Sequence, residues 1–95
     1  MSVAEIVLRP LLQQRIPEVS NLEQAASAFP WTEKMYADSL NAGYWGGTLC
    51  QGTQLLGVAV VSSAVGESHL LNMFIALGRQ GLGFGRLLLK GACQH

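Results

Sequence analysis

Leu70-Leu71-Asn72-Met73-Phe74-Ile75, then Gln80-Gly81-Leu82-Gly83-Phe84-Gly85, then Arg86-Leu87-Leu88-Leu89-Lys90, is the stretch that decides the reading of this chain. The first segment is an apolar run of strand length. The second is a glycine-rich turn, and the third has the spacing of an amphipathic helix. A glycine turn that feeds a helix N-terminus is an anion site, because its backbone N–H groups point outward and the helix dipole favours negative charge. Gly81, Gly83 and Gly85 carry no Cβ, so a diphosphate can come close to the main chain.

Two common phosphate motifs do not fit. A P-loop places Lys and then Ser or Thr after its last glycine, whereas here Arg86-Leu87 follows Gly85, so no Mg-binding hydroxyl is in place. A dinucleotide-binding fingerprint needs a third glycine where this chain has Arg86, and it needs a following strand with an acidic residue. Taken alone, the glycine turn is equally compatible with a plain strand-to-helix connection.

Outward from that stretch, Ile6-Val7-Leu8-Arg9-Pro10 reads as a short strand that proline ends. Pro17 suits the first turn of a helix along which Ile16, Val19, Leu22 and Ala26 recur at helical spacing. Phe29-Pro30 stops that helix. Thr32 is the N-cap of a second helix running to Leu40, with Glu33 in its first turn and Gly43 as its stop. Residues 44–50 read as a weak strand in which Gly46-Gly47 marks a bulge. Gln51-Gly52-Thr53-Gln54 is a turn, residues 55–63 are a valine-rich strand, Gly66 marks another turn, and residues 69–75 are the fourth strand. Residues 85–93 form the last helix, with Leu88, Leu89 and Ala92 on its apolar face and Gly91 weakening its end. The order β-α-α-β-β-β-α implies an antiparallel meander with helices on its faces. That is an α+β domain, not a doubly wound sheet.

Composition narrows the function classes. Ninety-five residues suit one domain at the small end of the usual range. The formal charge is zero, so no broad field argues for nucleic acid or a membrane surface as partner. Apolar residues make up 49% and charged residues 13%, which is too apolar for disorder and points to surface that expects a partner. No apolar run approaches the ~18 residues of a membrane span, and residues 1–5 lack the pattern of a signal peptide. Cys50 and Cys93 are far apart without metal-ligand spacing, so free thiols in a reducing cytoplasm are expected, with no metal.

The pattern Q-x-x-G-x-G, met by Gln80, Gly83 and Gly85, resembles the acetyl-CoA signature of the GNAT acetyltransferases. The element order resembles the N-terminal part of that fold, from its first strand to the helix behind the cofactor loop. Ala28-Phe29-Pro30-Trp31-Thr32-Glu33-Lys34-Met35-Tyr36 looks like the F-P-W-[ST]-E-x-x-[FY] segment of the RimI branch, whose members acetylate the N-terminal α-amine of a ribosomal protein.

The resemblance implies roles residue by residue. Main-chain groups of Met73, Phe74 and Ile75 would pair with the pantetheine arm of acetyl-CoA. Gln80 and the amides of Gly81, Leu82, Gly83, Phe84, Gly85 and Arg86 would hold its diphosphate. Arg79, Arg86 or Lys90 would add charge there, or serve solubility alone. Phe29 and Trp31, with Pro30, would shape the entrance for a peptide; the other reading is a helix connection anchored by a buried Trp31. Leu77-Gly78 departs from the family pattern, where a proline commonly stiffens the loop before Gln80. In the RimI branch the general base and general acid lie on later elements, at positions beyond His95, so the resemblance places no catalytic residue within this sequence and little turnover is expected of it.

Acid–base candidates read from the residues alone are Glu67 and His69, near the start of the fourth strand, and a strand-edge glutamate beside a half-exposed histidine is the plainer account of both. Tyr44 reads as sheet packing, and Cys50 as a buried strand residue with no adjacent basic partner. The leading expectation is therefore an acetyl-CoA-dependent N-acetyltransferase domain, acting on a protein N-terminus such as that of a ribosomal protein. The alternatives are a non-catalytic coenzyme-A-binding module, a homodimer formed through an open sheet edge, and a structural remnant without activity.

Overall fold

The computed structural model describes residues 5–64 and 67–92. Its order is β1 (Ile6–Pro10), a 3-10 turn (Gln13–Arg15), α1 (Ile16–Ala26), α2 (Glu33–Asn41), β2 (Trp45–Gln51), β3 (Gln54–Ala64), β4 (Glu67–Ile75) and α3 (Phe84–Ala92). The four strands form one antiparallel sheet in the order β1-β2-β3-β4. This is the expected meander. The Gly66 turn and Cys93 lie outside the described residues.

Side-chain alternation splits the sheet into two apolar layers. Val7, Cys50, Val58, Val60 and Phe74 face one way, against Ile16, Val19 and Leu22 of α1 and Tyr36, Ala37 and Leu40 of α2. Leu8, Leu49, Ala59, Met73 and Ile75 face the other way, against Phe84 and Leu88 of α3. Local signals set the helix ends. Pro17 sits in the first turn of α1. The Thr32 hydroxyl accepts from the Met35 N–H at 3.2 Å, capping α2 as expected. Gly43 follows with φ +86°, a conformation that favours glycine.

Four expectations need correction. Gly46-Gly47 is not a bulge. The register between β2 and β3 shifts at Leu49/Cys50 instead, where Leu49 pairs with Gly57 and Cys50 with Leu55, so Leu56 is the extra residue. The two glycines answer to packing. A Cβ on Gly46 would lie 3.1 Å from the Leu11 Cβ, and one on Gly47 would lie 2.3 Å from the Trp45 ring. Tyr44 precedes β2 and is exposed, and Trp45 does the packing. Leu89 is exposed, because Leu88 and Ala92 already point α3 at the sheet. Cys50 does have a basic neighbour, since the Arg15 Nη1 reaches its Sγ at 3.6 Å across 35 residues of sequence. Cys50 is buried and so stays closed to substrate.

Candidate functional site

β4 is an edge strand among the described residues. The Ala76 N–H donates to the Leu56 carbonyl at 2.8 Å, so the main chain of Ala76 faces β3. Main-chain direction alternates along an antiparallel strand. Phe74 therefore faces β3 through its pairing with Val58, while the N–H and C=O groups of Met73 and Ile75 face the open edge. Of the three residues read from sequence, Met73 and Ile75 turn their main chain to the open edge, and Phe74 contributes a buried ring to the core.

The chain leaves β4 through a hydrogen-bonded turn. The Arg79 N–H donates to the Ala76 carbonyl at 2.9 Å, with Gly78 at φ +86° in the third position, where a type II turn requires glycine. Leu77-Gly78 thus shapes this turn without the proline that the family commonly uses. Gly81 and Gly83 also hold positive φ, +80° and +85°, and a Cβ on either would meet nothing within 4 Å. The space above the loop is open, and its glycines serve backbone conformation. The first helical bond of α3 runs from the Leu87 N–H to the Gly83 carbonyl. That leaves the amides of Phe84, Gly85 and Arg86 as the unpaired donors of a helix N-terminus.

Positive charge follows the loop, with Arg79 and Arg86 beside it and Lys90 in the last turn of α3. Three of the six Lys and Arg residues, Arg79, Arg86 and Lys90, belong to this loop and helix, and no Asp or Glu follows Glu67. None of the three is in an ion pair among the described residues. The Gln80 side chain departs from its expected direction. Its Nε2 donates to the Ile75 carbonyl at 3.2 Å, bridging the loop back to the strand end.

Phe29 and Trp31 separate in role. Phe29 is 92% exposed. Trp31 packs on the core and meets the Tyr36 ring edge-on, with centroids 5.2 Å apart. The helix connection is therefore anchored by Trp31, while Phe29 stands free at the surface. Glu67 and His69 lie side by side at 3.2 Å, both well exposed.

One cluster went unread in the sequence. Glu23 of α1 is buried and accepts from the Tyr36 hydroxyl of α2, and its second oxygen accepts from Asn72 Nδ2 of β4 at 2.9 Å. Asn72 also donates to the Tyr36 oxygen at 3.1 Å. Three elements are joined through one buried carboxyl group. A glutamate three residues before the end of a helix gives no signal of its own; a periodicity count that asked which polar residue falls on the apolar face with Val19 and Leu22 would have found it. Burial, and then the bond to Glu23, push the Tyr36 phenol far above its ordinary value. The unfolded chain ionises this tyrosine above about pH 10 and the folded chain does not, so stability falls as pH rises past that point. Tyr36→Phe leaves the Glu23 Oε1 without its donor, with an expected cost of about 1–3 kcal/mol, read from urea unfolding. The same variant should lose a share of the alkaline destabilisation.

No protein-family model matches the chain. The ribosomal protein bS18-alanine N-acetyltransferase of Escherichia coli K12 is 32% identical over 75 residues, covering 79% of this chain and 51% of that protein. The Haemophilus influenzae enzyme of that name is 32% identical over 68 residues, covering 72% and 47%. The crystal structure of ribosomal-protein-S18-alanine N-acetyltransferase from E. coli superposes with a TM-score of 0.86 at 28% identity, over 95% of this chain and 58% of that one. The E. coli GNAT-family enzyme YhbS in complex with CoA superposes with a TM-score of 0.74 at 15% identity, over 99% and 57%, and shows the fold alone.

An antiparallel meander whose last strand runs through a glycine loop into α3 is thus the fold of the GNAT acetyltransferases, matched over part of their length. Within that class the chain resembles the ribosomal-protein-alanine N-acetyltransferases. It spans about half the length of the curated relatives it matches.

Proposed function

We propose that this chain binds acetyl-CoA along the open edge of β4 and the glycine loop, as the cofactor-binding part of an N-acetyltransferase acting on the α-amine of a protein N-terminus. The acceptor we favour is a ribosomal protein, as in the named relatives. The observation that carries the reading is the conjunction at one end of β4. The edge-facing main chain of Met73 and Ile75, the amides of residues 84–86 that open α3, the open space above Gly81 and Gly83, and the cations Arg79 and Arg86 belong to one stretch of chain.

These groups fit an acyl-coenzyme A by chemistry. A peptide-like arm pairs with strand edges as another strand would. A diphosphate suits a helix N-terminus. Bound acetyl-CoA supplies an activated acetyl thioester. The chain holds the diphosphate with the loop amides, aligns the arm through Met73 and Ile75, and offers Phe29 as an apolar contact for an incoming peptide. Glu67 and His69, paired with each other at the exposed start of β4, are given no part in the chemistry. Amide NMR titration with acetyl-CoA tests the reading. Shifts are expected at Met73, Ile75 and residues 80–86, with β1 unmoved; shifts spread evenly over the chain would reject it. Subsequent addition of a ribosomal-protein N-terminal peptide should move residues 29–31, and an unmoved Phe29 would remove its assigned role.

The unpaired edge of β4 also favours a second reading, self-association. Leu70 and Leu71 are exposed on it, and Val61, Leu70, Leu89 and Ala92 line a groove of about 220 Å³ beside α3. A monomer at high concentration in analytical ultracentrifugation would exclude that reading.

A further inference from the structure

We propose that the Gln80 carboxamide is a latch on the pantetheine subsite, holding in the free chain the Ile75 carbonyl that the pantetheine arm takes on binding. The proposal rests on the acetyl-CoA reading and adds a competitor to it. The open edge beside the loop offers four main-chain groups, the N–H and C=O of Met73 and of Ile75. Among the described residues, only the Ile75 carbonyl has a partner there, and that partner is Gln80 Nε2 at 3.2 Å. This carbonyl lies nearest the glycine loop, so it is the first edge acceptor that an arm leaving a loop-bound diphosphate meets. An arm amide can donate to it only when Gln80 lets go.

The latch is built to open. Gln80 is exposed, so water replaces its bond on release, and a single solvent-accessible amide bond is a weak restraint. The function of the contact is to satisfy the strand-end carbonyl and hold the turn of residues 76–79 against β4 until the arm arrives. The cost falls on ligands that carry the arm. Ligands that end at the diphosphate do not meet the latch at all.

That difference separates a latch from the two other roles open to Gln80. A diphosphate ligand or a residue that stiffens the loop would affect coenzyme A and its arm-free nucleotide half alike. The test is calorimetric titration of the 95-residue chain and of Gln80→Ala with coenzyme A and with that nucleotide diphosphate half, with circular dichroism checking that both are folded. The quantity read is the ratio of the two affinities, which cancels any general loosening of the loop. The latch predicts that the preference for coenzyme A over its nucleotide half rises about twofold to tenfold in Gln80→Ala, the worth of one exposed amide bond. Gln80→Glu cannot donate to the carbonyl, so its preference should rise likewise although the added charge weakens both ligands. An unchanged or reduced ratio in both variants, with the parent chain binding normally, would overturn the latch and leave the acetyl-CoA reading standing. A folded parent chain that binds neither ligand would overturn that reading and the latch with it.

Discussion

Gly85→Glu is expected to fold at least as stably as the parent chain and to lose measurable acetyl-CoA binding. Gly85 lies in the first turn of α3, outside the positive-φ region, and an added Cβ would meet only the Ile75 Cγ1, at 4.0 Å. Replacing a helical glycine recovers up to ~1 kcal/mol of backbone entropy, and a carboxylate in the first turn interacts favourably with the helix dipole, by about 0.3–1 kcal/mol. Both effects stabilise the fold. The same carboxylate stands among the amides proposed to hold a diphosphate. At an effective dielectric near 20, a unit charge about 5 Å from a diphosphate is repelled by several kcal/mol, on the order of a hundredfold or more in affinity. Stability and binding should therefore move in opposite directions. Thermal unfolding and calorimetric titration on one preparation would show it. Unchanged affinity in Gly85→Glu would place the diphosphate elsewhere. Gly83→Glu would answer less cleanly, because φ +85° adds backbone strain to any side chain there.

Leu88→Ala carries the largest expected loss of stability, about 2–5 kcal/mol. Leu88 is fully buried and, with Phe84, packs α3 against the layer of Leu49, Leu56 and Ala59 in the sheet. No second helix covers that face among the described residues, so the site has little to collapse with. Domains of this size have only about 5–15 kcal/mol in total, so the urea midpoint should fall by a large fraction. Acetyl-CoA affinity should fall as well, because α3 carries the loop amides and its seating on the sheet sets their position beside Ile75. A loss below about 1 kcal/mol would mean that α3 is held by other contacts.

What could be read from the sequence divides by range. Thr32 as a cap, Pro17 in a first turn, Gly43 as a stop and the meander itself follow from neighbours a few residues apart. The glycine loop was legible as a turn into a helix, but Gly81 and Gly83 were read for close approach of a ligand, whereas they and Gly78 meet a local backbone demand. Contacts across the chain left no such trace. Gly46 and Gly47 read as a weakness in a strand, and their reason lies in Leu11, Leu40 and the Trp45 ring. Gly91 read as a weak helix end, whereas a Cβ there would lie 2.3 Å from Leu8 of β1. The Arg15–Cys50 contact and the Glu23–Asn72 bond span 35 and 49 residues, and although the period of α1 puts Glu23 on its apolar face, no period names the partners. The proposed site was drawn from the sequence as a set of residues, without their directions. That Phe74 faces inward while Ile75 offers its carbonyl to the open edge follows from register, and the turning of Gln80 onto that carbonyl follows from the path of the loop.

The most direct test of the central claim is calorimetric titration of the 95-residue chain with acetyl-CoA, after circular dichroism has shown it folded. Saturable binding of one ligand per chain, competed by coenzyme A and lost in Gly85→Glu, is the predicted result. A folded chain that takes up no acetyl-CoA would contradict the claim and leave the glycine loop as a connection between β4 and α3.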